Sequence, residues 1–468
     1  MSRSTDPRPT PTSAAAPPEA WPPIRRAVRT VTRPVEAFLA TEVASGAILL
    51  VATIAALVWA NSPWADRYHA LWATPIGAHL GATTIEVTLH FVVNEALMTF
   101  FFFVVGLEIR REIARGELSE PRRAALPLAA ALGGMIAPAL VYLALNAERP
   151  TASGWGVPMA TDIAFAVGVL TLLRDRVSPG LRILLLALAV IDDVGAILVI
   201  GVFYSSGFEA SGLATAALGV VGISLLQAAG ARRALAYAIP AAAVWQGLHA
   251  AGVHATLAGV IVGLMTPTRA WFGSAELVAA AQRAAEAVGD HGHDAVAEHL
   301  EALDRARREA MAPVDSLQHA FHRWVAFLVM PLFAFANAGV SIGATEIAGD
   351  AAWMAWGIVI GLVAGKTIGI AGGSWLAVRI GLAALPRGVS WRGVLTVAMV
   401  GGIGFTMSLF VAELAFDDAL LEGAKLAILV GSITAAALGL GFGRAALTRS
   451  AGVDRAHTES EAEASTVQ

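Results

Sequence analysis

Twelve apolar runs punctuate the chain, near 38–60, 87–107, 124–145, 157–173, 183–204, 212–228, 234–249, 253–266, 324–342, 353–376, 393–415 and 424–442. A helix rises about 1.5 Å per residue, so roughly 20 residues cross a bilayer's hydrocarbon layer. The pattern predicts an all-α polytopic membrane protein with twelve transmembrane helices, the runs at 157–173 and 253–266 being the shortest. Arginine placement follows the same count. Arg25, Arg26, Arg29 and Arg33 precede the first run, and Arg110, Arg111, Arg115, Arg122 and Arg123 separate the second from the third. Arg174, Arg176 and Arg182 separate four from five, Arg232 and Arg233 six from seven, and Arg379, Arg387 and Arg392 ten from eleven. The alternate loops hold only Arg67, Arg149 and the flanking Lys425. This asymmetry predicts that both termini are cytoplasmic.

Between the runs the chain divides simply. Residues 1–33 read as a tail without stable structure, rich in Pro, Ser and Thr, and with no apolar core of the kind a cleaved signal peptide needs. Residues 34–266 carry spans one to eight, 267–322 a cytoplasmic loop, 323–445 spans nine to twelve, and 446–468 a second polar tail. Two Ala-rich, charge-laced stretches in the loop predict amphipathic helices. His291, His293, His299, His319 and His322 lie there, either as plain solvated residues or as sensors of cytoplasmic pH.

Composition supports the membrane reading. The chain is 56% hydrophobic and 15% charged, against about 25% charged in soluble domains. A net charge of −4 argues against a nucleic-acid partner, and the absence of cysteine excludes disulfides, thiolate metal sites and cysteine nucleophiles. Lysine occurs only at Lys366 and Lys425.

Against this apolar background a few polar residues stand out. Asp192 and Asp193 fall near the middle of run five. One carboxylate at that depth costs roughly 2.5–3.5 kcal/mol, and adjacency adds repulsion. Such a pair points to a bound cation or proton, or to a structural pair hydrogen-bonded at a helix break. Run four opens Pro158-MATDIAFAVGVL, which adds Asp162 and the Thr161 hydroxyl. Run eleven contains Val400-GGIGFTMSLF, with Gly401, Gly402 and Gly404 weakening the helix. A short span and a Gly-interrupted one match discontinuous helices, tolerated only around a buried site or aqueous cavity. Close packing is the other reading of those glycines. Lys366 lies well inside run ten and must pair with a carboxylate, lose its proton or snorkel. Adjacent helical residues point about 100° apart, so one aspartate can hold the ammonium while the other faces a cation path.

Glu95 begins run two, and Glu108 and Glu112 share a helix face at its cytoplasmic end. They form an acidic mouth or ordinary helix-end salt bridges with Arg110 and Arg111. Zinc-ligand spacings, phosphate-binding Gly loops and Ser/His/Asp arrangements do not emerge, so neither an enzyme nor a cofactor is expected. An intramembrane aspartyl protease needs aspartates on two helices that share a proton, whereas this pair is sequential. A sodium-coupled organic solute symporter shares the broken-helix pattern but calls for more polar groups.

The stretches WANSPW, VGLEIRRE, ATDIAFAVGVL, VIDDVGAILVI, GVHATLAGVIVG, PLFAFANAGV, GKTIGI and GGIGFTMSLF, in order from Trp59 to Phe410, resemble the NhaA family of sodium/proton antiporters. The resemblance implies twelve helices in inverted repeats, with helices four and eleven broken and crossing at mid-membrane in the bacterial cytoplasmic (inner) membrane. It implies Asp193 and Asp192 as the cation- and proton-binding centre, beside Thr161 and Asp162, with Lys366 paired to Asp192. Glu108 and Glu112 match cytoplasmic-funnel acids, and His254 a position tied to pH response. Electrogenic exchange of cytoplasmic Na+ or Li+ for external H+ follows, without a cofactor. Residues Asp66–Val87 match an external hairpin that joins homodimers. The chain departs at Leu317-QHAFHRW, where the family pattern is LEHxLHPW. Gln318 replaces an acid associated with pH sensing and Arg323 replaces a proline, which puts the pH-activation profile in question.

Overall fold

A computed structural model describes residues 42–80, 83–231, 233–270, 310–343, 348–386 and 388–447, with isolated positions between 275 and 304. The N-terminal tail, nearly all of the C-terminal tail, the loop histidines His291, His293 and His299, and Arg232 and Arg387 lie outside the described residues.

The described chain is mostly helical. Helix α1 (Glu42–Ala60) turns by 118° into the short α2 (Ala65–Trp72). An antiparallel hairpin follows, β1 (Pro75–Leu80) against β2 (Thr83–Thr88), with Pro75 opposite Thr88 and Leu80 opposite Thr83. The hairpin corrects the all-α expectation. It lies in a polar stretch between apolar runs, where Thr83, Thr84, Ile85, Val87 and Thr88 favour extended backbone.

Then come α3 (Leu89–Arg115), α4 (Pro121–Asn146), a 3₁₀ helix (Pro150–Met159), α5 (Ile163–Thr171), α6 (Pro179–Phe203) and α7 (Ala210–Ala228). Helices α8 (Ala238–Ala250), α9 (Leu257–Met265), α10 (Pro313–Asn337), α11 (Asp350–Arg379), α12 (Trp391–Val400), α13 (Phe405–Ala415) and α14 (Asp418–Ala446) complete the chain. Seven described helices are each long and apolar enough to cross a bilayer, and three bent pairs raise the number to ten. Helices α8 and α9 are apolar but only 13 and 9 residues long.

Large apolar side chains such as Leu218, Ile239, Trp356, Ile368 and Ile433 are more than half exposed. A soluble protein rarely carries so much exposed apolar surface, whereas a lipid environment solvates it. In lipid, helices gain little from hydrophobic association and rely on close backbone approach. Helices α4 and α11 show this directly. A Cβ built on Gly369 would collide with the Gly133 carbonyl, and one on Gly365 would stand 2.7 Å from Pro138 Cα.

The helices sort into two groups by what they pack against. The first holds α4, the 3₁₀ helix, α5, α6 and α11 to α14; the second holds α1, α3 and α7 to α10. They meet along a seam where α1 touches α5, α3 touches α6, and α10 touches α13.

Candidate functional site

Two breaks in the first group create the site. The 3₁₀ helix ends at Met159 and α5 starts at Ile163, with a bend of 45°. Helix α12 ends at Val400 and α13 starts at Phe405, with a bend of 46°. Each break frees backbone groups that lipid cannot satisfy. They satisfy one another. Asp162 N–H donates to the Ile403 carbonyl at 2.7 Å, and the Thr161 hydroxyl donates to the Gly401 carbonyl at 2.9 Å. Gly404 permits the approach, because a Cβ there would collide with Ser408 Oγ and crowd the Ala160 carbonyl.

Asp162 caps both second halves. Its Oδ1 accepts from Phe165 N–H at 3.0 Å, in the first turn of α5. Its Oδ2 accepts from the Thr406 N–H at 3.2 Å and the Thr406 hydroxyl at 2.5 Å, in the first turn of α13. Helix N-termini carry about half a positive charge each, so this carboxylate faces two of them. Both its oxygens are occupied, which suits it to joining the broken spans more than to exchanging ligands. Thr406 lies within the GGIGFTMSLF stretch, yet its role is not legible there. The signal that could have found it is a hydroxyl residue two positions after the last glycine of the break, where an N-terminal turn begins.

Asp192 and Asp193 lie mid-way along α6, and both are buried. Helix α11 supplies the counter-charge. Its π turn at Gly361–Gly365 immediately precedes Lys366, and such an insertion re-aims the side chains that follow. Lys366 is fully buried; its Nζ donates to Asp192 Oδ2 at 2.5 Å and to Thr161 Oγ1 at 2.8 Å. Asp192 Oδ1 is also buried and has no hydrogen-bond partner among the described residues. Asp193 lies within electrostatic range of Asp192, Glu108, Asp162 and Lys366. Of the residues singled out by sequence, Thr161, Asp162, Asp192, Asp193 and Lys366 therefore come together in one cluster.

The other residues sit apart. Glu108 reaches the site electrostatically from α3, and Glu112, one turn on, accepts from Glu117 N–H at 3.0 Å. Glu112 also lies 3.8 Å from Arg111, while Arg110 turns to the Thr266 carbonyl at 3.4 Å. His254 is half-buried with Nε2 2.7 Å from the Tyr204 carbonyl. Tyr204, just past the end of α6, follows Asp193 by 11 residues, roughly 16 Å along the axis, so His254 does not join the cluster. Gln318 is buried on α10 with its Oε1 unpartnered among the described residues.

The chemistry is a matter of charge count. Asp192, Asp193 and Lys366 sum to one net negative charge in a dry setting, while the helix N-termini attend to Asp162. Either a monovalent cation or a proton can neutralise that remainder, and one bound there would exclude the other. Among the described residues no group of three or more His, Cys, Asp or Glu side chains forms a chelating metal site.

A family model described as Na+/H+ antiporter 1 matches residues 36–442. A Na(+)/H(+) antiporter NhaA 2 from Sorangium cellulosum (strain So ce56) is 53% identical over 458 residues, covering 96% of this chain and 98% of that protein. One of the same description from Myxococcus xanthus (strain DK1622) is 52% identical over 462 residues, covering 97% and 98%. A Na(+)/H(+) antiporter NhaA from Bordetella petrii is 50% identical over 420 residues, covering 87% and 89%.

Proposed function

The chain belongs to the Na+/H+ antiporter 1 family, and on that premise we propose that this multi-pass membrane protein exchanges Na+ for H+ at Asp192 and Asp193. The observation that carries the assignment is Asp192, buried, with one oxygen on Lys366 and the other unpartnered among the described residues, beside Asp193. A cation reaching the pair meets a net negative charge and an available carboxylate oxygen. Its arrival weakens the hold of Asp192 on the ammonium, and returning protons displace it. Each ion excludes the other from the same carboxylates, so the two gradients are coupled without any other energy source. If Lys366 gives up its proton as the cation binds and regains one from the other side, more protons than cations cross per cycle and the exchange is electrogenic. Li+ fits the same oxygen donors and is a second cargo.

The arginine-rich loops support an orientation with both termini cytoplasmic, in a bacterial inner membrane. On that reading α8 and α9 are short spans, the chain crosses twelve times in inverted repeats, and cytoplasmic Na+ leaves as external H+ enters. Glu108 and Glu112 then lie on the cytoplasmic approach and raise the local cation concentration. His254 serves the pH response. The hairpin Pro75–Thr88 is the surface through which two copies pair.

Asp193→Asn is expected to abolish Na+-induced proton movement in proteoliposomes that respond with native protein. Retained exchange would falsify the site.

A further inference from the structure

A second charged cluster lies at the opposite end of the seam from the arginine-rich loops, outside the ion site. Lys425 on α14 is 9% exposed, and its Nζ stands 2.9 Å from Glu413 Oε1 and 4.0 Å from Glu422 Oε1. Both glutamates reach beyond their own helix group. Glu413, 15% exposed near the end of α13, lies 4.0 Å from His90 Nε2 at the start of α3. Glu422 Oε2 accepts from the Ser341 N–H, just past α10, at 3.4 Å. His90 is itself positioned, with Nε2 3.2 Å from Asn337 Oδ1 and 3.2 Å from Asn94 Nδ2. Asn337 Nδ2 in turn donates to Asn94 Oδ1 at 2.8 Å and to the Phe333 carbonyl at 3.0 Å.

One turn inward from Glu413, Phe410 packs on Phe102 of α3 and Phe333 of α10, with ring centroids 5.3 and 6.3 Å apart. An aromatic layer thus lies beneath a polar one, and both bridge the two helix groups. Helix α13 carries Glu413 at one end and the Asp162 partner Thr406 at the other. A rigid displacement of α13 that opens the site along this end of the seam must draw Glu413 away from His90.

We propose that Lys425, Glu413, Glu422 and His90 form an outer latch that closes the seam and parts once in every exchange cycle. The proposal rests on the antiport reading. Lys425 keeps the two carboxylates extended and compensated on the first group, and His90 and the Ser341 amide receive them on the second. The Lys425–Glu413 pair is largely buried and is screened little, whereas His90 and Glu422 are 38% and 36% exposed, so the contacts across the seam are the ones through which salt weakens the latch. Its asymmetry is useful: Lys425 and the glutamates stay together on one group, so opening leaves no carboxylate stranded without a cation.

The chain has no cysteine, so introduced thiols can be read without background. In full-length His90→Cys/Glu413→Cys protein in proteoliposomes, a short reducible bifunctional methanethiosulfonate is expected to bridge the thiols. Exchange should then fall about tenfold and return on reduction. Bridged protein that exchanges at its reduced rate overturns the latch. Thiols that fail to bridge overturn the juxtaposition on which it stands. A second measurement does not require an active double variant. With Phe410→Cys as reporter, adding Glu413→Gln should raise labelling by an impermeant maleimide applied from the outer side, and unchanged labelling overturns the latch as well. Native protein that exchanges no Na+ for H+ defeats the antiport reading instead, while the labelling comparison still reports on closure of the seam.

Discussion

Replacing Lys366 with methionine keeps the stem that fills the space between α4 and α11 and removes only the ammonium. The ammonium is fully buried and donates to Asp192 Oδ2 and Thr161 Oγ1. Without it Asp192 and Asp193 stand adjacent and uncompensated, and breaking a buried pair in this way costs about 3–5 kcal/mol. Asp192→Asn takes away the ammonium's carboxylate hydrogen-bond partner and leaves it only Thr161 and the field of Asp193. The double variant lacks both members of the pair and leaves Asp193 with the single net negative charge that the native cluster already carries, so the two losses are far from additive, with a coupling on the order of 2–3 kcal/mol. Melting in detergent at one fixed heating rate reads this, since large membrane proteins unfold irreversibly and only matched scans compare. Each single variant should melt below native, and the double variant above at least one of them. A double variant that loses the sum of the two single losses would refute the pair as an energetic unit.

Two further outcomes follow from the packing and the caps. Thr406→Val removes the hydroxyl donated to Asp162 Oδ2 while leaving the Thr406 and Phe165 amides, so it should cost about 1.5–3 kcal/mol and lower exchange, with Thr406→Ser restoring both. Gly369→Leu should prevent monodisperse folding because its Cβ collides with the Gly133 carbonyl, whereas Gly372→Leu, whose Cβ would meet nothing within 4 Å, should elute and melt like native protein in size-exclusion and thermal assays.

Much of the site was legible because charge inside an apolar run is costly and therefore conspicuous. Asp162, Asp192, Asp193 and Lys366 are visible on that ground alone, and three glycines within four positions marked the break at 401–404. Partners were less visible. Thr406 looks like any threonine in a helix, and only the three-dimensional crossing shows that its hydroxyl meets Asp162. The carbonyls of Gly401 and Ile403 carry no side-chain signature at all. Element ends also resisted. The fourth apolar run starts near 157, but the 3₁₀ helix begins at Pro150, since Gly154 and Gly156 dilute the hydropathy there. The polar latch at Glu413 and His90 was hidden for the opposite reason: charged residues near span ends are ordinary, and their meeting depends on helices far apart in sequence.

The division of labour among the three aspartates explains how an ion at one of them can act on the fold. Asp162 holds α5 to α13 through backbone amides that keep their dipoles whichever ion is present, so the crossing stays assembled. Asp192 instead shares Lys366 with Thr161, and the Thr161 hydroxyl donates to the Gly401 carbonyl at the end of α12. A cation that weakens the Asp192–ammonium contact leaves Thr161 as the remaining acceptor, which strengthens the pull along that chain of bonds. On the proposed reading, ligand exchange at Asp192 and Asp193 is transmitted to the break between α12 and α13, while the hydrogen bonds of Asp162 hold that break together. A crossing that is tugged but not dissociated moves as one body. On that reading the movement reaches the far end of α13, at Glu413, where the proposed latch would part.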